Sequence, residues 1–322
     1  MTLSTAFTRL LGLRHPVVLA PMGTVAGGAL AAAVQGAGGL GLIGAGYLGR
    51  EWIDKQFAAA GNQPVGAGFI TWYLEQHPEQ LEAALAHQPR VLMFSFGEAR
   101  PWIAKAKRAG AKVICQVQSL AVAKRAASEG ADAIVAQGSE AGGHGGGRAT
   151  LPLVPAIVDA VSPTPVLAAG GIADGRGLAA ALTLGAAGAL IGTRFIATQE
   201  SLAHDAMKVR IVVGSGDHTL RTRIFDIVRG YDWPEPWTGR ALENEFTQRW
   251  NGREAELKRA LDSETPRYWK ASDAGDLSTA LVWAGEGLDL IHDVPPAGAL
   301  VESLVAEAER ALGASAALRV QA

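Results

Sequence analysis

The chain has 322 residues, 48% of them hydrophobic, a formal net charge of −2 and a single cysteine, Cys115. Length and apolar content suit a large buried core, and a single α/β barrel reaches this size. The charge leaves no footprint for nucleic acid or an anionic membrane, and one cysteine excludes an internal disulfide framework and a cysteine-based metal site, which fits a reducing cytoplasm.

In chain order, residues 1–14 lack a basic start followed by a long apolar run, so no signal peptide is expected. Eight short apolar runs follow, at 16–22 (PVVLAPM), 39–45, 65–70, 90–96 (RVLMFSF), 112–117 (KVICQV), 133–138, 165–171 (PVLAAGG) and 188–193 (GALIGT). None is long enough to span a bilayer. They are continuously apolar rather than alternating, as expected of parallel strands buried on both faces. Segments of helical character lie between them, among them 26–35, 79–87, 101–109, 120–128 and 177–184. A partial repeat marks four helix-to-strand junctions: AGGLG at 37–41, AGAKV at 109–113, EGADA at 129–133 and LGAAG at 184–188. There a glycine in a left-handed conformation would end the helix. Eight alternating units predict an α/β fold, a (β/α)8 TIM barrel, over an open doubly wound sheet. After residue 200 tryptophan, arginine and glutamate become frequent, and 230–239 reads GYDWPEPWTG. The predicted organisation is a barrel from 1–200 and 285–322 with a mostly helical insertion at 201–284. The insertion reads either as a lid on the active face or as a packing or dimerisation appendage. An amphipathic helix at 295–312 would complete the barrel.

Polar chemistry gathers where the predicted strands end. Met22 and Gly23 follow the first strand, Gly68 lies in the third and Gln116 in the fifth. Gln137 ends the sixth, ahead of Gly142, Gly143 and His144; Gly170 and Gly171 follow the seventh, and Gly192 and Thr193 the eighth. Barrels commonly hold a phosphate after strands seven and eight, where bare glycine amides approach an anion closely; the alternative use of these glycines is tight turning alone. His144 stands in AQGSEAGGHGGG (136–147), a loop with nothing of its own to pack around an imidazole. A ring with an ordinary pKa of about 6.5 suits a general base, although a lone histidine is more often a surface or structural residue. The other histidines take that reading, although His218, which lies in the insertion, could approach the site. No P-loop and no Gly-x-Ser-x-Gly occurs, and the glycine-rich stretch 36–41 precedes a strand, so it is no dinucleotide fingerprint. No metal-ligand cluster is evident. Cys115, mid-strand, reads as buried and inert.

The stretches APMGTVAGGALAAAVQGAGGLGLIGAG (20–46), VGAGF (65–69), AQGSEAGGH (136–144), AAGGIADGRG (168–177) and GALIGTRF (188–195) resemble the nitronate monooxygenases, formerly 2-nitropropane dioxygenases, over nearly the whole chain. FMN-dependent enoyl-ACP reductases share the same skeleton. The fungal type is the nearer match, because many bacterial members carry Asn at the position of Gly68. The resemblance implies a barrel binding FMN without a covalent link. Met22, Gly23 and Gly68 would lie near the flavin ring, Gln116 and Gln137 at its polar edge or ribityl chain, Gly142 and Gly143 in a loop passing close by, and Gly170, Gly171, Gly192 and Thr193 on the phosphate. His144 matches the histidine proposed to take the substrate's α-proton. The implied reaction converts a nitroalkane or nitronate, with O2, to a carbonyl compound and nitrite. The alternatives are a flavin-dependent NAD(P)H reductase acting on a quinone or enoyl thioester, and a non-catalytic flavin-binding barrel. Trp72, Tyr73 and Trp283 would line an apolar substrate site or belong to the core. A homodimer is compatible with all of this.

Overall fold

The computed structural model describes residues 3–316. Strands β1 (Val17–Leu19), β2 (Leu42–Gly44), β3 (Gly66–Ile70), β4 (Val91–Ser95), β5 (Lys112–Val117), β6 (Ala133–Gln137), a short β7 (Gly143–Gly145), β8 (Val166–Ala169) and β9 (Ala189–Ile191) follow one another along the first 191 residues. All but β7 form one parallel sheet in the order β1-β9-β8-β6-β5-β4-β3-β2. A parallel bridge between Val18 and Leu40 returns the β2 edge to β1 and closes the barrel. Helices Gly28–Gly36, Arg50–Ala60, Glu79–Leu85, Arg100–Arg108, Leu120–Ser128, Thr150–Val161, Gly175–Thr183 and Ala297–Ala316 form the outer ring.

The local sequence accounts for the element ends. Ser119 and Asp174 place side-chain oxygens on the backbone N–H of Val122 and Gly177, capping the helices they precede. At the four repeated junctions Gly38, Gly110, Gly130 and Gly185 have φ of 91°, 83°, 99° and 91°, the left-handed turn that any side chain would strain.

Side chains of the strands alternate between two cores. Val18, Leu42, Val91, Met93, Ile114, Val135, Leu167 and Leu190 fill the barrel interior. Phe7 and Leu11 of the helix Ala6–Leu11 join them, and this helix plugs the N-terminal mouth, tied there by the Thr5 hydroxyl donating to the Ala187 carbonyl at 2.6 Å. Burying each of those two side chains contributes about 1.5–3 kcal/mol. The opposite set, including Leu19, Ile43, Phe94, Val113, Ile134 and Ile191, packs outward against the helices. With the N-terminal mouth plugged, the C-terminal mouth is the open end.

Helices dominate the stretch 201–284: Asp205–Val212, Ile224–Arg229, Glu245–Trp250, Glu254–Arg259 and Leu261–Asp273. It also holds two strands that sequence reasoning did not anticipate, β10 (Thr219–Thr222) and β11 (Thr238–Leu242). They pair antiparallel with each other, and β11 pairs in turn with β7 in the loop after β6. A barrel loop and the insertion therefore share one three-stranded sheet. No helix among the described residues is long and apolar enough to cross a membrane.

Candidate active site

The C-terminal mouth opens into a cavity of ≈ 650 Å³. Met22, Gly23, Gly68, Gln116, Gln137, Gly142, Gly143, His144, Gly170, Gly171, Gly192 and Thr193 all contribute to its wall. On the barrel side, the backbone N–H groups of Gly171, Gly192 and Thr193 donate to no backbone acceptor among the described residues, while the Gly170 N–H ends the β8–β9 ladder toward the Leu190 carbonyl. Two adjacent strand ends thus present a set of free donors. The Gln116 carboxamide, almost buried at 8% exposure, likewise has no protein hydrogen bond among the described residues.

The glycines serve two different ends. Gly143 adopts φ 71° with nothing within 4 Å of where a Cβ would stand, so backbone conformation alone requires it. Gly68 is required by packing: a Cβ there would lie 2.2 Å from Cγ of Pro21, in the chain just past β1. Gln137 does not keep its carboxamide free. Its Nε2 donates to the His144 carbonyl at 2.9 Å and its Oε1 accepts from Gln118 Nε2 at 2.8 Å, so it braces the loop carrying the histidine.

A run of glycines has no side chains with which to satisfy its own carbonyls, and two arginines of the insertion supply the donors. Arg221 on β10 donates to the carbonyls of Ser139 (3.3 Å), Gly145 (2.7 Å) and Thr238. Arg240 on β11 donates through Nε to Ser139 O at 3.0 Å and pairs with Glu286 at 2.8 Å. Burial, and then the neighbouring Arg240 charge, push the Arg221 guanidinium down to about 10, which still leaves it charged at neutral pH. Glu140 ties the loop's other side to the start of Thr150–Val161, accepting from the Thr150 N–H at 2.9 and 3.0 Å and its hydroxyl at 2.8 Å; a carboxylate at a helix N-terminus is favourably placed.

His144 lies opposite Gly239 in the β7–β11 pair. The closest partners of its ring come from the insertion, with Phe96 of the barrel edge-on at 6.4 Å. Nε2 lies 3.0 and 2.9 Å from the two carboxylate oxygens of Asp226, which is 2% exposed. The imidazole stacks on the Trp233 indole at 3.4 Å between centroids and 7° between planes. Trp283 lies edge-on at 5.0 Å. Trp233 in turn donates Nε1–H to the Tyr47 hydroxyl at 2.5 Å, and Tyr47 stacks on Tyr231 at 3.9 Å. Burial lowers the affinity of His144 for a proton below the ordinary histidine value; Asp226 opposes this, and the Arg229 and Arg221 charges reinforce it. The ring is therefore neutral at pH 7. Arg229 itself reaches the cavity wall, 4.8 Å above the Tyr231 ring, and forms no ion pair among the described residues.

Of the three aromatic residues considered for a substrate site, Trp283 lines the cavity. Trp72 and Tyr73 stand behind it, packed on Tyr47, with Trp72 also against Trp233. His218 is exposed beside Glu243 and does not reach the cavity. Cys115 is buried, and burial pushes its thiol up to about 12, so it is inert. No group of three or more potential metal ligands occurs among the described residues. Phe96, at the cavity wall after β4, holds φ 64°. Such a conformation in an aromatic residue is a strain of the kind found at functional sites.

A barrel with this histidine loop and these glycine-ended strands matches the family model for nitronate monooxygenase over residues 4–70 and 62–307. The chain belongs to the nitronate monooxygenase family. Among relatives of this family member, nitronate monooxygenase npaC of Metarhizium robertsii is 35% identical, over 88% of each chain. A (3aS,4S,5R,7aS)-5-hydroxy-7a-methyl-1-oxo-octahydro-1H-indene-4-carboxyl-CoA dehydrogenase of Rhodococcus jostii is 33% identical, over 99% of each. The solved structure of FabK from Thermotoga maritima superposes with a TM-score of 0.87 at 30% identity, covering 99% of this chain and all of that one. Family membership makes the chain an oxidoreductase.

Proposed function

We propose that the protein oxidises alkyl nitronates, and the nitroalkanes from which they form, with FMN and O2, yielding a carbonyl compound and nitrite. The observation that carries this reading is one cavity with two unlike walls: free backbone donors on the barrel side, and a neutral histidine on the insertion side. Fit to FMN is supported by the three unpaired amides of Gly171, Gly192 and Thr193, an acceptor-hungry set suited to a phosphate, and by the unpartnered Gln116 carboxamide, suited to the polar edge of an isoalloxazine or to its ribityl chain. The cavity volume lies in the range of cofactor and ligand sites. Gly170, Gly171, Gly192 and Thr193 would hold the phosphate; Met22, Gly23 and Gln116 would meet the ring. FMN, when bound, supplies the electron acceptor and the reactivity toward O2.

The chain's own residues do the rest. His144, neutral at pH 7, takes the α-proton of a neutral nitroalkane, and a base held below the operating pH is in its competent form. The Arg229 guanidinium favours the anionic nitronate at the same wall. Tyr47, Phe96, Tyr231, Trp233 and Trp283 line the apolar remainder and exclude water. The test is O2 uptake and nitrite release by FMN-loaded protein given a short nitroalkane or its nitronate. Absence of nitrite with both substrates would refute the reading.

A second reading, a flavin-dependent NAD(P)H oxidoreductase of acyl thioesters, is favoured by the name of the Rhodococcus jostii relative. Anaerobic bleaching of bound flavin by NADH or NADPH, with no bleaching by nitronate, would select it.

A further inference from the structure

We propose that Asp226 is the positioning residue of His144, fixing the proton on Nε2 so that Nδ1 is the nitrogen that takes the substrate's proton. The inference rests on the reading of His144 as the base. Asp226 has no other side-chain hydrogen bond among the described residues, and both its oxygens lie within 3.0 Å of Nε2. An ionised carboxylate only accepts, so Nε2 must donate. In the neutral ring the lone pair is then on Nδ1; the ring's hydrogen bonds to described residues are both at Nε2, and the residue lines the cavity. Trp233 lies parallel to the ring and prevents it from turning out of line.

The proton transfer balances simply. The α-C–H bond breaks, its electron pair becomes the C=N bond of the nitronate, charge moves onto the nitro oxygens, and the proton forms an Nδ1–H bond. Asp226 takes no part in this transfer and faces the imidazolium so formed. The groups around the ring divide by element. Helix Ile224–Arg229 contributes Asp226, which favours the cation, and Arg229, which opposes it; β10 contributes Arg221, which opposes it. Phe96, Trp233 and Trp283 are uncharged. Asp226 is thus the one anion set against two cations. Its side chain comes from the insertion, 82 residues from His144 in sequence, so the barrel loop alone does not specify the tautomer.

Two measurements test this. The first uses the unmodified full chain with ¹⁵N-labelled histidine: NMR at neutral pH is expected to show His144 protonated at Nε2 and bare at Nδ1. The reverse tautomer overturns the proposal whatever the enzyme's substrate proves to be. The second compares substrates on the FMN-loaded enzyme. In Asp226→Asn, kcat/KM for the neutral nitroalkane should fall about 100-fold or more, and for the preformed nitronate, which needs no base, by less than about tenfold. Asp226→Glu should recover part of the loss, and adding Asp226→Asn to His144→Ala should lower nitroalkane turnover no further. Equal losses with both substrates would make Asp226 structural only and overturn the proposal. If the wild type uses neither substrate, the proposed function fails, and the tautomer measurement alone decides the role of Asp226.

Discussion

Replacing Arg221 by Met tests whether the glycine loop is held from the insertion. The side chains are of similar length, but the fork of donors is lost. Two main-chain carbonyls, Gly145 and Thr238, lose a charge-assisted donor, while Ser139 keeps Arg240 Nε at 3.0 Å. Hydrogen bonds to charged groups contribute about 1.5–3 kcal/mol each, so the gross loss is about 3–6 kcal/mol. Part is returned, because the site disfavours the cation: burial and Arg240 already hold Arg221 down to about 10. A net loss of about 2–4 kcal/mol follows. At about 2 °C per kcal/mol for a chain of this size, Tm should fall by about 4–8 °C. Thermal unfolding followed by circular dichroism measures this, and nitroalkane turnover should drop with it because His144 sits in the same strand as Gly145. A variant with unchanged Tm and unchanged turnover would refute the clamp.

Three further predictions follow from the geometry. Burial keeps His144 neutral below the ordinary histidine range, so kcat/KM for a neutral nitroalkane should hold steady as pH falls to about 6.5 and decline only below it. The unfolded chain takes up that proton first, so this group also makes folding less favourable as pH falls through 6.5; an acid limb above pH 7 would contradict both. Gly170→Ala places a Cβ 2.9 Å from Thr150 Oγ1 at φ 108° and should cost about 1–3 kcal/mol in denaturant titration while weakening FMN binding, whereas Gly147→Ala, with open space around it, should stay within about 0.5 kcal/mol; equal effects would remove the argument from crowding. Cys115, its thiol pushed up to about 12, should resist iodoacetamide at pH 8 in the native protein and react once unfolded; native labelling would show that β5 opens readily.

The barrel was legible because its strands are buried on both faces, and runs such as KVICQV carry that burial in composition alone. The four junction glycines were legible for a similar reason: a left-handed residue at a helix end is a local requirement. The cavity wall from Met22 to Thr193 followed once the strand ends were known. Asp226 was not legible. In IFDIVR it reads as an ordinary polar residue on a short helix, and only the tertiary approach to His144 gives it a partner. β10 and β11 were missed because TLRT and TGRAL are short, half-polar and without alternation; their reason for pairing is the β7 edge, a long-range partner. The loop of His144 has nothing of its own to pack around the imidazole, and the rings that do so, Trp233 and Trp283, arrive from beyond residue 200, out of reach of a local reading. Gln137 ends a strand at the cavity as expected, yet its amide is spent on the His144 carbonyl.

The three-residue pairing of β7 with β11 gives His144 a double membership. Covalently it is part of a barrel loop; through Gly239 opposite it, and through Asp226, it is part of the appendage. Any motion that carries β11 off the rim must peel β7 away with it or break that ladder, and either event would dismantle the proposed proton acceptor. On the proposed reading, deprotonation would be conditional on a seated appendage, and a mouth opened wide to admit substrate would also be one that has been disarmed.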